Sequence, residues 1–199
     1  MPETDSEEAD YNDCWIQKFL RRQENMYLER LPDSFLLDKF HFNNLKERIE
    51  DFRECYQAIM DRGPSYNMDE ETKLYFYLHN RYILYNKQGM NNMLDKIKTK
   101  TFGTCQRYGC KETPFIPVGL HPDFGRSKTK VFCSSCKCLY EPKGNLRKLD
   151  GCVWGSAFSS YVILLNQYDF KHKNNKTYFP KLFGFDVLFE NGNKSSDSE

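Results

Sequence analysis

The chain has 199 residues, room for one domain or two small ones, and a net charge of +1, which argues against a partner chosen by bulk electrostatics. Aromatic residues make up 16% of it, an excess that often leaves apolar surface beyond what one small core needs and so points to protein contacts. Eight cysteines and an acidic start without an apolar leader indicate a reducing, cytoplasmic and nuclear setting, and no apolar run approaches the ~20 residues of a membrane span.

Residues 1–13 carry Glu3, Asp5, Glu7, Glu8, Asp10 and Asp13 with no basic residue, and 1–12 reads as a disordered acidic tail. Thr4 with Glu7 fits an acidophilic phospho-acceptor pattern. A helical domain is expected over 13–100. Trp15, Ile16, Phe19 and Leu20 form the first apolar stripe, with Asn12 or Asp13 as its N-cap. Pro32-Asp33-Ser34 opens a short segment carrying Phe35, Leu36, Leu37 and Phe40. A long helix is predicted from about Asn44 to Met60, with Asn44 and Glu47 as a capping box and Gly63-Pro64 as its stop. A fourth helix carries Leu74, Leu78, Tyr82 and Tyr85. A fifth, after the breaker Gly89, carries Met90, Met93, Leu94 and Ile97.

The periodicity changes at Thr101. Cys105, Cys110, Cys133 and Cys136 are spaced C-x4-C-x22-C-x2-C, two close thiol pairs on either side of a long loop. That spacing suits a tetrahedral four-cysteine zinc site, one structural Zn2+ per chain, with no position left for water or substrate. Cys138 is the alternative to Cys136; C-x2-C turns wrap a metal more readily than the C-x4-C of Cys133 and Cys138. Short β-type runs at Phe115–Val118 and Lys130–Phe132 complete a zinc ribbon, and the fold class is α+β. Gly151–Leu165 is strongly apolar, and 101–165 is taken as one ribbon and dimerisation region. Phe183, Phe185, Val187 and Phe189 alternate as in a strand with one buried face. Residues 191–199 read as a second disordered tail, in which Ser196 and Glu199 repeat the acidophilic pattern.

Catalytic motifs are lacking. Asp123-Phe124-Gly125 has neither the Gly-rich loop nor the catalytic loop of a kinase around it and reads as a turn. His41, His79, His121 and His172 are scattered, and no constellation surrounds Cys14, Cys55 or Cys152. The chain is read as a non-enzyme: an interaction protein, with a zinc-ribbon nucleic-acid or transcription-associated module as the alternative. The ribbon's cations (Arg107, Lys111, Arg126, Lys128, Lys130 and Lys137) are few for the second reading.

Several stretches resemble the regulatory (beta) subunit family of casein kinase II. Arg81-Tyr82-Ile83-Leu84 followed by Asn86, Met93 and Leu94 is similar to the family's helix pair. Asp38-Lys39-Phe40, Pro117-Val118-Gly119-Leu120, Tyr140-Glu141-Pro142-Lys143, Asp150-Gly151 with Gly155 and Phe158, and Pro180–Phe185 resemble further family motifs in order, as does the cysteine spacing. The resemblance implies a non-catalytic subunit that forms a homodimer through its zinc ribbons. It implies docking of two catalytic (alpha) Ser/Thr kinase subunits into an α2β2 tetramer, with an effect on the choice of protein substrates. The docking segment would be 166–190, with Phe183, Gly184 and Phe185 at the contact and both rings on one face of an extended strand. The dimer would also cover Phe115, Phe132, Val153, Trp154 and Phe158, which one small ribbon cannot bury. Where the family has a dense acidic run, this chain has DRGPSYNMDEE at 61–71.

Overall fold

The computed structural model describes residues 14–165 and 181–186. Helix α1 (Trp15–Leu20) buries Trp15, Ile16 and Phe19, and Cys14 holds its cap position. The expected caps Asn12 and Asp13 lie outside the described residues. Pro32 precedes α2 (Asp33–Leu37), which buries Phe35 and Leu36 and leaves Leu37 exposed. A 3-10 turn at Lys39–Phe42 follows, capped by the Asp38 carboxylate accepting from Phe40 N at 2.9 Å.

The long helix predicted over 44–60 is shorter than its apolar spacing suggests. Helix α3 covers only Phe52–Ile59. Asn44 (φ 62°) and Asp51 (φ 47°) are both left-handed, which interrupts a right-handed helix, and the Asn44–Glu47 capping box does not form. The turns between them still bury Leu45 and Ile49, so the apolar spacing survives without the helix.

Helix α4 (Met68–Tyr85) starts where Asn67 Oδ1 accepts from Glu70 N, with Asp69, Glu70 and Glu71 in its first turn, where carboxylates suit the helix dipole. Every residue from Leu74 to His79 is buried, the pattern of a helix enclosed on all sides. Asn86 then caps α5 (Lys87–Lys98) by accepting from Gln88 N and Gly89 N. Gly89 is therefore inside the first turn and is no breaker. It is needed for contact: a Cβ there would lie 2.7 Å from Tyr82 O.

Strands β1 (Phe115–Val118), β2 (Lys130–Cys133) and β3 (Leu139–Tyr140) form an antiparallel sheet in that order, with Ile116 opposite Phe132 and Val131 opposite Tyr140. A 3-10 turn at Gly151–Val153 leads into α6 (Ala157–Leu165). The molecule is α+β. Phe102, Ile116, Val131, Val153, Trp154, Phe158 and Val162 pack in one continuous cluster with the residues of α1–α5. Trp154 is the hub. It meets His79 and Phe102 edge-on at 5.6 Å and donates from Nε1 to Thr129 Oγ1 at 2.9 Å.

The apolar residues expected to need a dimer for cover are buried or half-buried within one chain. Val153, Trp154 and Phe158 are fully buried within the single chain, under α4. Phe115 and Phe132 are half-buried against the same core. The helices supply the cover that the ribbon alone lacks.

Candidate metal centre and exposed hairpin

Two tight turns bring the four predicted ligands together. In the first, Cys110 N donates to Arg107 O at 3.0 Å, and Gly109 supplies the positive φ (88°) that lets the chain return. In the second, Lys137 N donates to Cys133 O at 2.8 Å while the amides of Ser135 and Cys136 point at the Cys133 sulfur. The Sγ atoms of Cys105, Cys110, Cys133 and Cys136 all lie within 4.8 Å of one another, and three of these residues are buried. A zinc ion with Zn–S bonds of about 2.3 Å requires sulfurs about 3.8 Å apart, and Cys105 and Cys136 are 3.9 Å apart. Four sulfur donors in a closed, buried set fit a tetrahedral metal ion and leave no open position on it.

Cys138 stands outside this group. Its sulfur takes a hydrogen bond from Arg107 Nη1 at 3.2 Å and contacts Cys136 O at 3.3 Å. Tyr140 Oη lies 3.2 Å from Cys136 Sγ, a supporting contact that the sequence spacing did not reveal. Burial pushes the Cys133 and Cys110 thiols up. At Cys136 burial also opposes ionisation, but hydrogen bonds from Tyr140, the Cys138 amide, Cys133 and Cys110 outweigh it and draw the thiol down to about 6.

Cys55, Cys152 and His79 are buried. Burial, then the charges of Glu71, Glu70 and Asp51, pushes Cys55 up to about 11. Burial and Asp150 push Cys152 up in the same way. His79 is fully enclosed: it accepts from Glu29 N at Nε2 (2.9 Å), so its proton sits on Nδ1, facing Val153 O at 3.2 Å. Asp123-Phe124-Gly125 is a turn: Arg48 pairs with Asp123 at 2.9 Å and Phe124 N donates to Tyr77 Oη at 3.0 Å. Among the described residues no helix is long and apolar enough to cross a membrane.

The C-terminal segment differs from the extended strand expected. Strands β4 (Lys181–Leu182) and β5 (Phe185–Asp186) pair antiparallel, Leu182 opposite Phe185. The two-residue turn between them has Phe183 at φ 50° and Gly184 at φ 87°, the doubly positive pattern of a tight hairpin turn. Phe183 and Phe185 therefore do not alternate along one strand, and Phe183 sits at the tip. Its apolar side chains face solvent: Phe183 is 92% exposed, Phe185 78% and Leu182 61%. Thr4 and Ser196 lie outside the described residues, as do 187–190 of the expected strand and 166–180 of the expected docking segment.

The architecture is that of a helical protein with a four-thiol ribbon and a projecting aromatic hairpin. The family model for the casein kinase II regulatory subunit matches residues 14–186, which takes in all three parts, and the chain belongs to this family. It is similar to casein kinase II subunit beta' of Drosophila melanogaster, 30% identical over 92% of this chain and 86% of that one. It is 31% identical to subunit beta' of Saccharomyces cerevisiae, over 94% of this chain and 77% of the relative. With subunit beta of Schizosaccharomyces pombe it shares 29% identity, over 90% and 81%.

Proposed function

We propose that this chain is a non-catalytic regulatory subunit of casein kinase II, holding one structural zinc ion on Cys105, Cys110, Cys133 and Cys136 and docking a catalytic subunit through its hairpin. The observation that carries the reading is the family match across 14–186. The hairpin supports it in detail. Three large apolar side chains on six residues face solvent, and buried aromatic anchors are typical of partner contacts. Phe183 adds a second argument. A non-glycine residue at φ 50° costs about 1 kcal/mol, so an aromatic ring is kept at the tip against local preference.

Zinc, when bound, ties the ribbon's two turns together; the chain's own part is to present four sulfurs and to support Cys136 through Tyr140. A homodimer built on the ribbon is part of the proposal. Its support is the family resemblance together with exposed Tyr108, Leu120 and Leu139 in the ribbon region and Leu164 and Leu165 at the end of α6. Cytoplasmic and nuclear placement goes with the kinase.

The test is purification of the native protein from its own cells under gentle conditions. The reading expects a Ser/Thr kinase polypeptide in equimolar amount, with kinase activity that leaves with that polypeptide when the two are separated. Recovery of the chain with nucleic acid and no kinase would overturn it.

A further inference from the structure

A groove of about 550 Å³ opens between the 3-10 turn at Lys39–Phe42 and α3. Its floor is aromatic. Phe42 meets Phe52 at 5.6 Å and Tyr56 at 5.0 Å, both nearly edge-on. Its rim is cationic: Lys39, Lys46 and Arg62 line it against one carboxylate, Glu47. All three cations are exposed, and none forms an ion pair among the described residues.

We propose that the acidic segment 1–13 of the same chain docks in this groove, laying its carboxylates on the Lys39, Lys46 and Arg62 rim. The segment carries six carboxylates and no Lys or Arg. Its exit point is close to the groove. Trp15 N donates to Asp61 Oδ1 at 2.7 Å, which places the start of α1 beside Asp61, and the next residue, Arg62, is on the rim. Thirteen residues extend to about 43 Å, whereas the eight residues of α3 run only about 12 Å, so the segment can cover the whole groove. Tyr11, three residues before Cys14, is the aromatic side chain available to the floor. The pairing is electrostatic at an exposed rim and therefore salt-sensitive. It is independent of kinase docking, which is assigned to the hairpin.

Carbodiimide cross-linking of the full-length, zinc-loaded protein tests this, because it joins carboxylates to lysine amines in contact. Equal amounts of 14N- and 15N-labelled chains are unfolded and refolded together with zinc, so that any dimer is of mixed label, then treated and digested, and cross-linked peptides are identified by mass. The proposal expects links from 3–13 to Lys39 and Lys46, within one isotope label, falling at least about fivefold between low salt and 1 M NaCl. The variant Lys39→Glu/Lys46→Glu/Arg62→Glu, with zinc content and circular dichroism unchanged, should let a Glu-specific protease cut the segment faster than in wild type. Links concentrated on Lys18 of α1, links spread over lysines remote from the groove, mixed-label links that place a second copy in it, or an unchanged cleavage rate would each overturn the proposal.

Discussion

Gly119 and Gly151 are fixed by mutual contact. A Cβ on Gly119 would lie 1.9 Å from Gly151 O, and one on Gly151 would lie 3.0 Å from Gly119 Cα. Neither the neighbouring backbone nor the Asp150 carboxylate that holds Cys152 N (3.0 Å) and Gly125 N (2.9 Å) can move aside cheaply. Gly119→Ala should cost about 3 kcal/mol of stability in urea unfolding of the zinc-loaded protein. A loss below 1 kcal/mol would show that the contact relaxes. His79 gives a pH signature. Burial holds its imidazole down at about 3, against an ordinary 6.5. As pH falls, the unfolded chain takes the proton first, so this contribution is complete above about pH 6.5 and is lost between there and about 3, at about 1.4 kcal/mol per pH unit. His79→Gln should be less stable at neutral pH but flatter in its pH dependence between 6.5 and 5. Metal loss acts on both proteins alike, so parallel profiles would contradict the assignment. At the metal centre, Cys136→Ser should lose the metal and Cys138→Ser should keep it, read by metal analysis of folded protein, because only Cys136 stands in the four-sulfur set.

At the scale of elements, what was legible was whatever a period or a spacing encodes. The apolar face of α4, the start of α2 and strands β1 and β2 follow from apolar periodicity and turn residues, whereas the Asn67 cap that starts α4 at Met68 carries no apolar signal. The cysteine spacing brought together the same four sulfurs that the folded chain clusters. The failures have a common cause. Residues 44–51 keep a helix-like apolar spacing, but Asn44 and Asp51 adopt left-handed backbone, which no apolar pattern reports. Gly89 suggests a breaker by its conformational freedom, but its role is the missing side chain next to Tyr82. At 183–184, a Phe-Gly pair makes the turn usually given to Asn-Gly, so the alternation looked like a continuous strand. An element-level test follows. Phe183→Asn suits the turn better and should leave the hairpin formed, while removing the ring at its tip should weaken kinase association. Unchanged association would assign Phe183 no part in docking.

For the whole molecule, one cluster of buried residues runs from the helices into the ribbon side. Trp154, His79, Asn80 and the Gly151–Val153 turn lock the ribbon side to α4, with Asn80 Nδ2 donating to Trp154 O at 2.5 Å. Metal removal should therefore destabilise more than the ribbon. Chelation of the proposed zinc, which can contribute about 10 kcal/mol or more to such a fold, is expected to lower protection of α4 amides in hydrogen exchange as well as the ribbon's. Loss confined to 101–140 would contradict a shared core. The proposed contact with the catalytic subunit lies at the exposed hairpin. Calorimetric titration of the cognate catalytic subunit with wild type and with Phe183→Ala/Phe185→Ala decides it. Both rings face solvent, so zinc content and thermal unfolding of the variant should match wild type. The variant should bind with a dissociation constant at least about tenfold weaker; an unchanged constant would remove the hairpin from the contact.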